Sequence, residues 1–253
     1  NNLGVASEKA GKNKQALKFW EQALKKNPGL PETHVNMGVV YEKMGKKKKA
    51  IAVYQKALEL DKTNAMAHYN LGVIYAKEKK FPEAIEEWET ALKLDGKDLN
   101  ILNSLAWAYE KLGKRKKALA KLKRSIKLSP YDSKTHFTSG RIKYDLEDFD
   151  EAIESFKKAV QLDPSFGEAY YRLGLTYDIQ NQSYDAISNL LVTELVFHKA
   201  KKMDLFKKTR SVLESLFAKY QASREDFKDL QVPETLKGYD LHKRNQIRTS
   251  KEK

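Results

Sequence analysis

Apolar residues recur along this chain with the spacing of helix faces. Met37, Val40, Tyr41 and Met44 make an i, i+3, i+4, i+7 stripe, which Gly45-Lys46 interrupts. A second stripe follows in Ala50, Ile51, Tyr54, Ala57 and Leu58. Two amphipathic helices joined by a tight turn satisfy this pattern. The pair then repeats. Ala16, Ala50, Ala84, Ala118, Ala152 and Ala186 lie 34 residues apart. Gly4, Gly38, Gly72, Ala106, Gly140 and Gly174 keep the same period, as do Ala23, Ala57, Ala91, Ser125, Ala159 and Thr193. So does the bulky set Trp20, Tyr54, Trp88, Leu122, Phe156 and Leu190. Four registers in phase over six units predict six helical hairpins. Pro28, Pro130 and Pro164 fall at joins between units, where a helix must end. The small residues let the two helices of a hairpin approach closely. One hairpin cannot bury its own apolar face, so neighbouring units must stack.

Asn36-Met37-Gly38…Tyr41…Ala50…Tyr54…Ala57, Leu71-Gly72…Tyr75…Ala84…Trp88…Ala91 and Leu173-Gly174…Tyr177…Ala186 resemble the tetratricopeptide repeat family over about 1–198. The resemblance implies an all-α, right-handed superhelical solenoid of stacked helix-turn-helix hairpins. Its first helices would line a concave groove and its second helices the convex back. The expected organisation is a solenoid over 1–200, with units of about 1–30, 31–64, 65–98, 99–132, 133–166 and 167–200. A capping helix over 201–221 is expected from the stripe Met203, Leu205, Phe206, Val212, Leu213, Leu216, Phe217 and Tyr220. A polar C-terminal tail over 222–253 follows, with scattered anchors in Phe227, Leu230, Val232, Leu236, Tyr239 and Leu241, and is read as mobile, with a docked tail as the alternative. Three departures stand out. The first unit starts at its fifth repeat position. Ser139 and Lys143 replace the expected Leu and Tyr, so that helix should pack less well. Thr193 and Glu194 occupy usually apolar positions, which suits the end of an array.

Composition narrows the class. Of 253 residues, 41% are apolar and 32% charged, against roughly 25% charged in an ordinary domain. No run approaches the ~18 apolar residues of a spanning helix, while 26 aromatics argue against wholesale disorder. Without cysteine there is no disulfide, thiol catalysis or thiolate metal site. No signal peptide is visible, so a soluble protein of the cytoplasm is expected rather than a periplasmic or secreted one, with further sequence upstream of Asn1 left open. The net charge of +14 is uneven: 1–130 holds 27 Lys+Arg against 14 Asp+Glu, 131–200 holds 7 against 12, and 201–253 holds 14 against 8.

Candidate chemistry is sparse. His34, His68 and His136 share one repeat position, but equivalent positions on stacked helices lie ~8–10 Å apart, too far for rings that must reach within ~2.0–2.1 Å of a shared ion. No metal and no cofactor are expected. Gly-rich phosphate loops, nucleophile elbows and His-Glu-x-x-His are all missing, and no enzyme is expected. Basic runs are more informative. Lys46, Lys47, Lys48 and Lys49 occupy the turn within one hairpin, Lys79 and Lys80 the next, and Lys114, Arg115, Lys116 and Lys117 the one after. Stacking would align them along one edge. The same turn in the fifth unit is acidic, Glu147-Asp148-Phe149-Asp150-Glu151.

Among relatives of this family, first-helix positions 2, 5, 6, 9, 12 and 13 face the groove. Here the resemblance points to Asn36, Val39, Tyr69, Asn70, Val73, Asn103, Trp107, Phe137, Arg141, Tyr171 and Arg172. A primary amide can pair with both N–H and C=O of an extended peptide. The peptide-carboxylate clamp of chaperone-binding members is disfavoured, because Val35, Val39 and Asn100 replace its residues. The expected function is therefore a non-enzymatic protein-interaction scaffold that takes an extended peptide or amphipathic helix of a partner, acidic or otherwise, in the groove. The alternative is an electrostatic adaptor docking its basic edge on an acidic protein, an anionic membrane surface or nucleic acid. Nucleic acid has the least support, because no aromatics interleave the basic turns.

Overall fold

The computed structural model describes residues 2–236, with the side chain of Thr235 excepted; the tail residues Gly238, Tyr239 and Leu241 lie outside them. Helices are the only regular secondary structure among the described residues, and the chain divides into two compact units, 1–128 and 129–253. In the first, α1 (Asn2–Lys9) pairs with α2 (Asn13–Lys26), α3 (Pro31–Lys43) with α4 (Lys47–Leu60), α5 (Ala65–Lys77) with α6 (Phe81–Leu94), and α7 (Leu99–Lys111) with α8 (Arg115–Leu128). In the second, α9 (Ser133–Tyr144) pairs with α10 (Phe149–Leu162), and α11 (Gly167–Ile179) with α12 (Ser183–Lys199). Helix α13 (Met203–Tyr220) packs on α12, and short 3-10 turns follow at Arg224–Phe227 and Glu234–Leu236. This is an all-α helical repeat solenoid.

Every hairpin turns by the same device. A residue two or three places past the end of the first helix takes positive φ: Gly11 (73°), Gly45 (70°) and Gly113 (69°), with Lys79 (61°), Glu147 (65°) and Asn181 (57°) at the same register. The next N–H then closes back on the helix, as in Lys46 N to Tyr41 O at 2.8 Å and Lys80 N to Tyr75 O at 3.0 Å. This left-handed closure satisfies the last carbonyls of the first helix. Between hairpins, side chains start the next helix. Asn64 accepts from Ala67 N at 3.0 Å and Asp98 from Asn100 N at 2.7 Å.

Packing inside each hairpin explains the paired registers. A Cβ added at Gly72 would stand 2.5 Å from the Trp88 indole, and one at Gly140 would stand 2.8 Å from the Phe156 ring. The glycine is therefore a seat for the bulky residue sixteen positions later. Where Ala106 replaces it, the partner shrinks to Leu122, and both are buried. In the first unit Trp20 packs with Ala16, Leu17, Met37 and Val40, and Tyr54 with Ala57, Ala67, Leu71 and Ile74. Rungs of charge also join successive hairpins. Glu8 pairs with Lys43, and Glu42 accepts from Lys77 Nζ at 2.9 Å while also taking the Tyr54 hydroxyl at 2.9 Å.

The second unit holds one large cluster in which Phe156, Leu190, Leu195, Leu213, Phe227 and Leu236 are all buried. In α9 the buried set is Thr135, Ser139, Gly140 and Ile142, of which only Ile142 is large and apolar. Lys143 leaves that core to pair with Glu151 at 3.0 Å. The start of the stretch read as a polar, mobile tail is packed. Phe227 stacks on Tyr184 with ring centroids 5.1 Å apart, and its side chain and that of Leu236 are enclosed. Glu194 is fully enclosed too, at 0% exposure, between Arg210 of α13 and Arg224 of the first 3-10 turn, each 2.9 Å away. Among the described residues, no helix is long and apolar enough to cross a membrane.

Candidate functional site

Trp107 separates itself from the other two tryptophans. Trp20 and Trp88 are 1% and 2% exposed, filling their hairpins, whereas Trp107 is 41% exposed. It stands over a cleft of about 900 Å³, within the roughly 300–1,000 Å³ of ligand sites. From α5 come Tyr69, Val73, Ala76 and Lys77, a face built by i, i+4 and i+7 spacing. From α7 come Asn100, Asn103, Ser104, Trp107 and Lys111, again one face. Trp88, Phe81 and Lys79 complete the lining from α6 and the turn before it.

Each wall is held. Trp88 donates from Nε1 to the Tyr69 carbonyl at 3.0 Å, which fixes the indole under α5. Phe81 meets Trp107 edge-on, with centroids 5.3 Å apart and planes at 79°. Lys111 lies 6.0 Å from the Trp107 ring centroid. Asn103 is partly committed, because its Oδ1 accepts from the Ser125 hydroxyl at 2.9 Å. No carboxylate lines the cleft. Such a surface can bury an apolar side chain against rings and offer amide and hydroxyl groups to a peptide backbone.

The residues expected to form one groove are distributed. Tyr69, Val73, Asn103 and Trp107 meet in this cleft. Asn36, Val39 and Asn70 do not line it. Phe137, Arg141, Tyr171 and Arg172 gather instead in a smaller pocket of about 230 Å³ in the second unit, with Phe197, Leu205 and Lys208. Ala76, Asn100, Ser104 and Lys111 stand at first-helix positions 12, 2, 6 and 13, expected to face the groove but not singled out as site residues, and sequence reasoning passed over Phe81. The register of Phe81 reads Asn13, Lys47, Arg115, Phe149 and Ser183 in the other units, so the sequence alone does not set Phe81 apart.

Other candidates resolve into structural roles. His68 Nε2 lies 3.2 Å from the Lys62 carbonyl and His136 Nε2 3.0 Å from that of Pro130, six residues back in each case. His34 bonds likewise to the Pro28 backbone. These rings tie the joint between units. Burial, and then the nearby Lys56 charge, hold the His34 imidazole below its ordinary pKa. Along the basic turns, Glu78 pairs with both Lys47 and Lys80, and Lys49 and Lys117 lie over the rings of Tyr41 and Tyr109. The phenol of Tyr109 is pushed up to about 12 by burial and by its hydrogen bond to Glu89. Among the described residues no group of three or more His, Asp or Glu side chains is arranged to hold a metal ion.

Comparison with known proteins follows the same lines. A family model described as TPR repeat matches residues 9–45, 43–79 and 140–178, and one described as tetratricopeptide repeat matches 63–130. No curated protein sequence matches. Among solved structures, YrrB, described as a TPR protein with an unusual peptide-binding site, is 26% identical with a TM-score of 0.64, covering 72% of this chain and 97% of its own. MamA from Desulfovibrio magneticus RS-1 is 24% identical with a TM-score of 0.59, covering 65% and 93%. The C-terminal part of a TPR repeat-containing protein from Cytophaga hutchinsonii is 16% identical with a TM-score of 0.74, covering 85% and 86%. The family models together span more than half of the chain, from 9 to 130 and from 140 to 178, and the chain belongs to the tetratricopeptide repeat family.

Proposed function

We propose that this protein is a non-enzymatic interaction scaffold that binds a peptide or amphipathic helix of a partner protein in the cleft lined by α5, α6 and α7. Membership of the repeat family supports protein partners in general. One observation carries the finer reading: a tryptophan 41% exposed, braced edge-on by Phe81, over a carboxylate-free cleft of about 900 Å³. Exposed rigid aromatics of this kind are typical anchors of binding hot spots. Ordering cost is low because Phe81 and Trp88 already hold the walls in place. YrrB, a TPR protein described as having an unusual peptide-binding site, is in line with the reading. The test is selection from a randomised displayed peptide library on the intact chain and on Trp107→Ala. Trp107-dependent enrichment of peptides with a bulky apolar residue is expected; equal enrichment on Trp107→Ala would remove the cleft from the account.

A further inference from the structure

The rungs of charge that join successive hairpins stop at the cleft. Glu8 pairs with Lys43 and Glu42 with Lys77, a carboxylate on one first helix reaching the lysine 35 residues later on the next. The following rung would run from residue 76 to Lys111. Residue 76 is Ala, and it lines the cleft. Lys111 consequently has no ion pair among the described residues, and its ammonium lies over the Trp107 ring at 6.0 Å from the centroid. Lys79, the other unpaired cation of the lining, holds positive φ at a turn position where Gly11, Gly45 and Gly113 carry no side chain. Lys77 faces the same cleft but is already taken by Glu42. So the cleft has two unmatched ammonium groups beside an aromatic wall, and lacks the one carboxylate that the repeat pattern would supply.

We infer that the occupant of this cleft is an acidic peptide segment in which an Asp or Glu flanks the apolar anchor, its carboxylate taking the place of the missing rung on Lys111. This rests on the cleft being the binding site, as proposed above. Charge complementarity selects the occupant. The chain's own segment 237–253 fits poorly, since it holds six Lys+Arg against two Asp+Glu. The carboxylate supplies specificity and the ring contacts supply most of the affinity, because a partly exposed ion pair contributes at most about fivefold.

The experiment repeats the library selection on Ala76→Glu, which restores the internal rung, and on Lys111→Gln, which keeps the stem without the charge. The intact chain should enrich Asp and Glu within two positions of the apolar anchor. Both variants should keep the anchor and lose the acidic preference, with a measured affinity for a selected acidic peptide lower by about fivefold. Thermal melts confirm that each variant is folded, and Lys111→Gln decides alone if Ala76→Glu is not. No acidic enrichment on the intact chain, or enrichment that both variants retain, overturns the inference while leaving the cleft as the site. Loss of all selection on Trp107→Ala is the separate result that the binding site itself requires. Self-association abolished by Lys111→Gln would put a second copy in the cleft and would equally overturn a partner peptide.

Discussion

A methyl group added at Gly72 would meet the Trp88 indole at 2.5 Å, and this contact shows how single residues set the repeat. Gly72→Ala should cost ~1–3 kcal/mol by overpacking. The fourth hairpin already holds the smaller solution, Ala106 with Leu122. Gly72→Ala with Trp88→Leu should therefore be less unstable than the two single changes added together, a coupling of ~0.5–3 kcal/mol in a denaturation cycle; strict additivity would mean that the seat is not specific. His34 supplies a second test. Burial and Lys56 depress its folded pKa below the ordinary 6.5. The unfolded chain then binds more protons between the depressed value and 6.5, so stability is present above about pH 6.5 and is lost as pH falls through that window. The drop in melting temperature from pH 7.5 to 5.5 should shrink in His34→Gln. An unchanged drop would assign the acid sensitivity to other groups.

Elements follow from local chemistry wherever the repeat is regular. The apolar stripes, the turn glycines and the joins at Pro28, Pro130 and Pro164 were all legible in the sequence, because each reflects a backbone constraint that one residue type answers. Elements that depend on distant partners were not. Glu194 reads as a polar residue suited to the end of an array, yet it is enclosed between Arg210 and Arg224, which lie 16 and 30 residues further along the chain. The same pairing brings the stretch from Arg224 to Phe227 onto α12 and α13, where the sequence suggests a mobile tail. Removing one member of a buried ion cluster leaves its partners uncompensated and costs ~3–5 kcal/mol. Glu194→Ala should lower stability by that order and make 222–236 sensitive to limited proteolysis ahead of global unfolding. If the segment stays protected, Phe227 and Leu236 hold it by apolar burial alone.

At the scale of the whole chain, the sequence supports a family and a class of function, while the cleft had to be read from three dimensions. Tyr69, Val73, Asn103 and Trp107 were legible because first-helix positions project in a fixed direction. The roles of Phe81 and Ala76 were not, since they depend on what stands across the cleft: Phe81 braces Trp107, and Ala76 leaves Lys111 unmatched. The strong positive charge of 1–130 colours every surface there, so cations alone identify no site; Glu78 already neutralises part of the basic edge through Lys47 and Lys80. The claim that matters most is that Trp107 serves binding and Trp88 serves folding. It is tested by paired thermal melts and titrations of a selected peptide on Trp107→Ala and Trp88→Ala. Trp107→Ala should lose roughly 2 kcal/mol or more of binding with little change in melting, and Trp88→Ala should lose ~3–5 kcal/mol of stability. Equal early melting of the two variants, with peptide affinity unchanged in Trp107→Ala, would contradict the account.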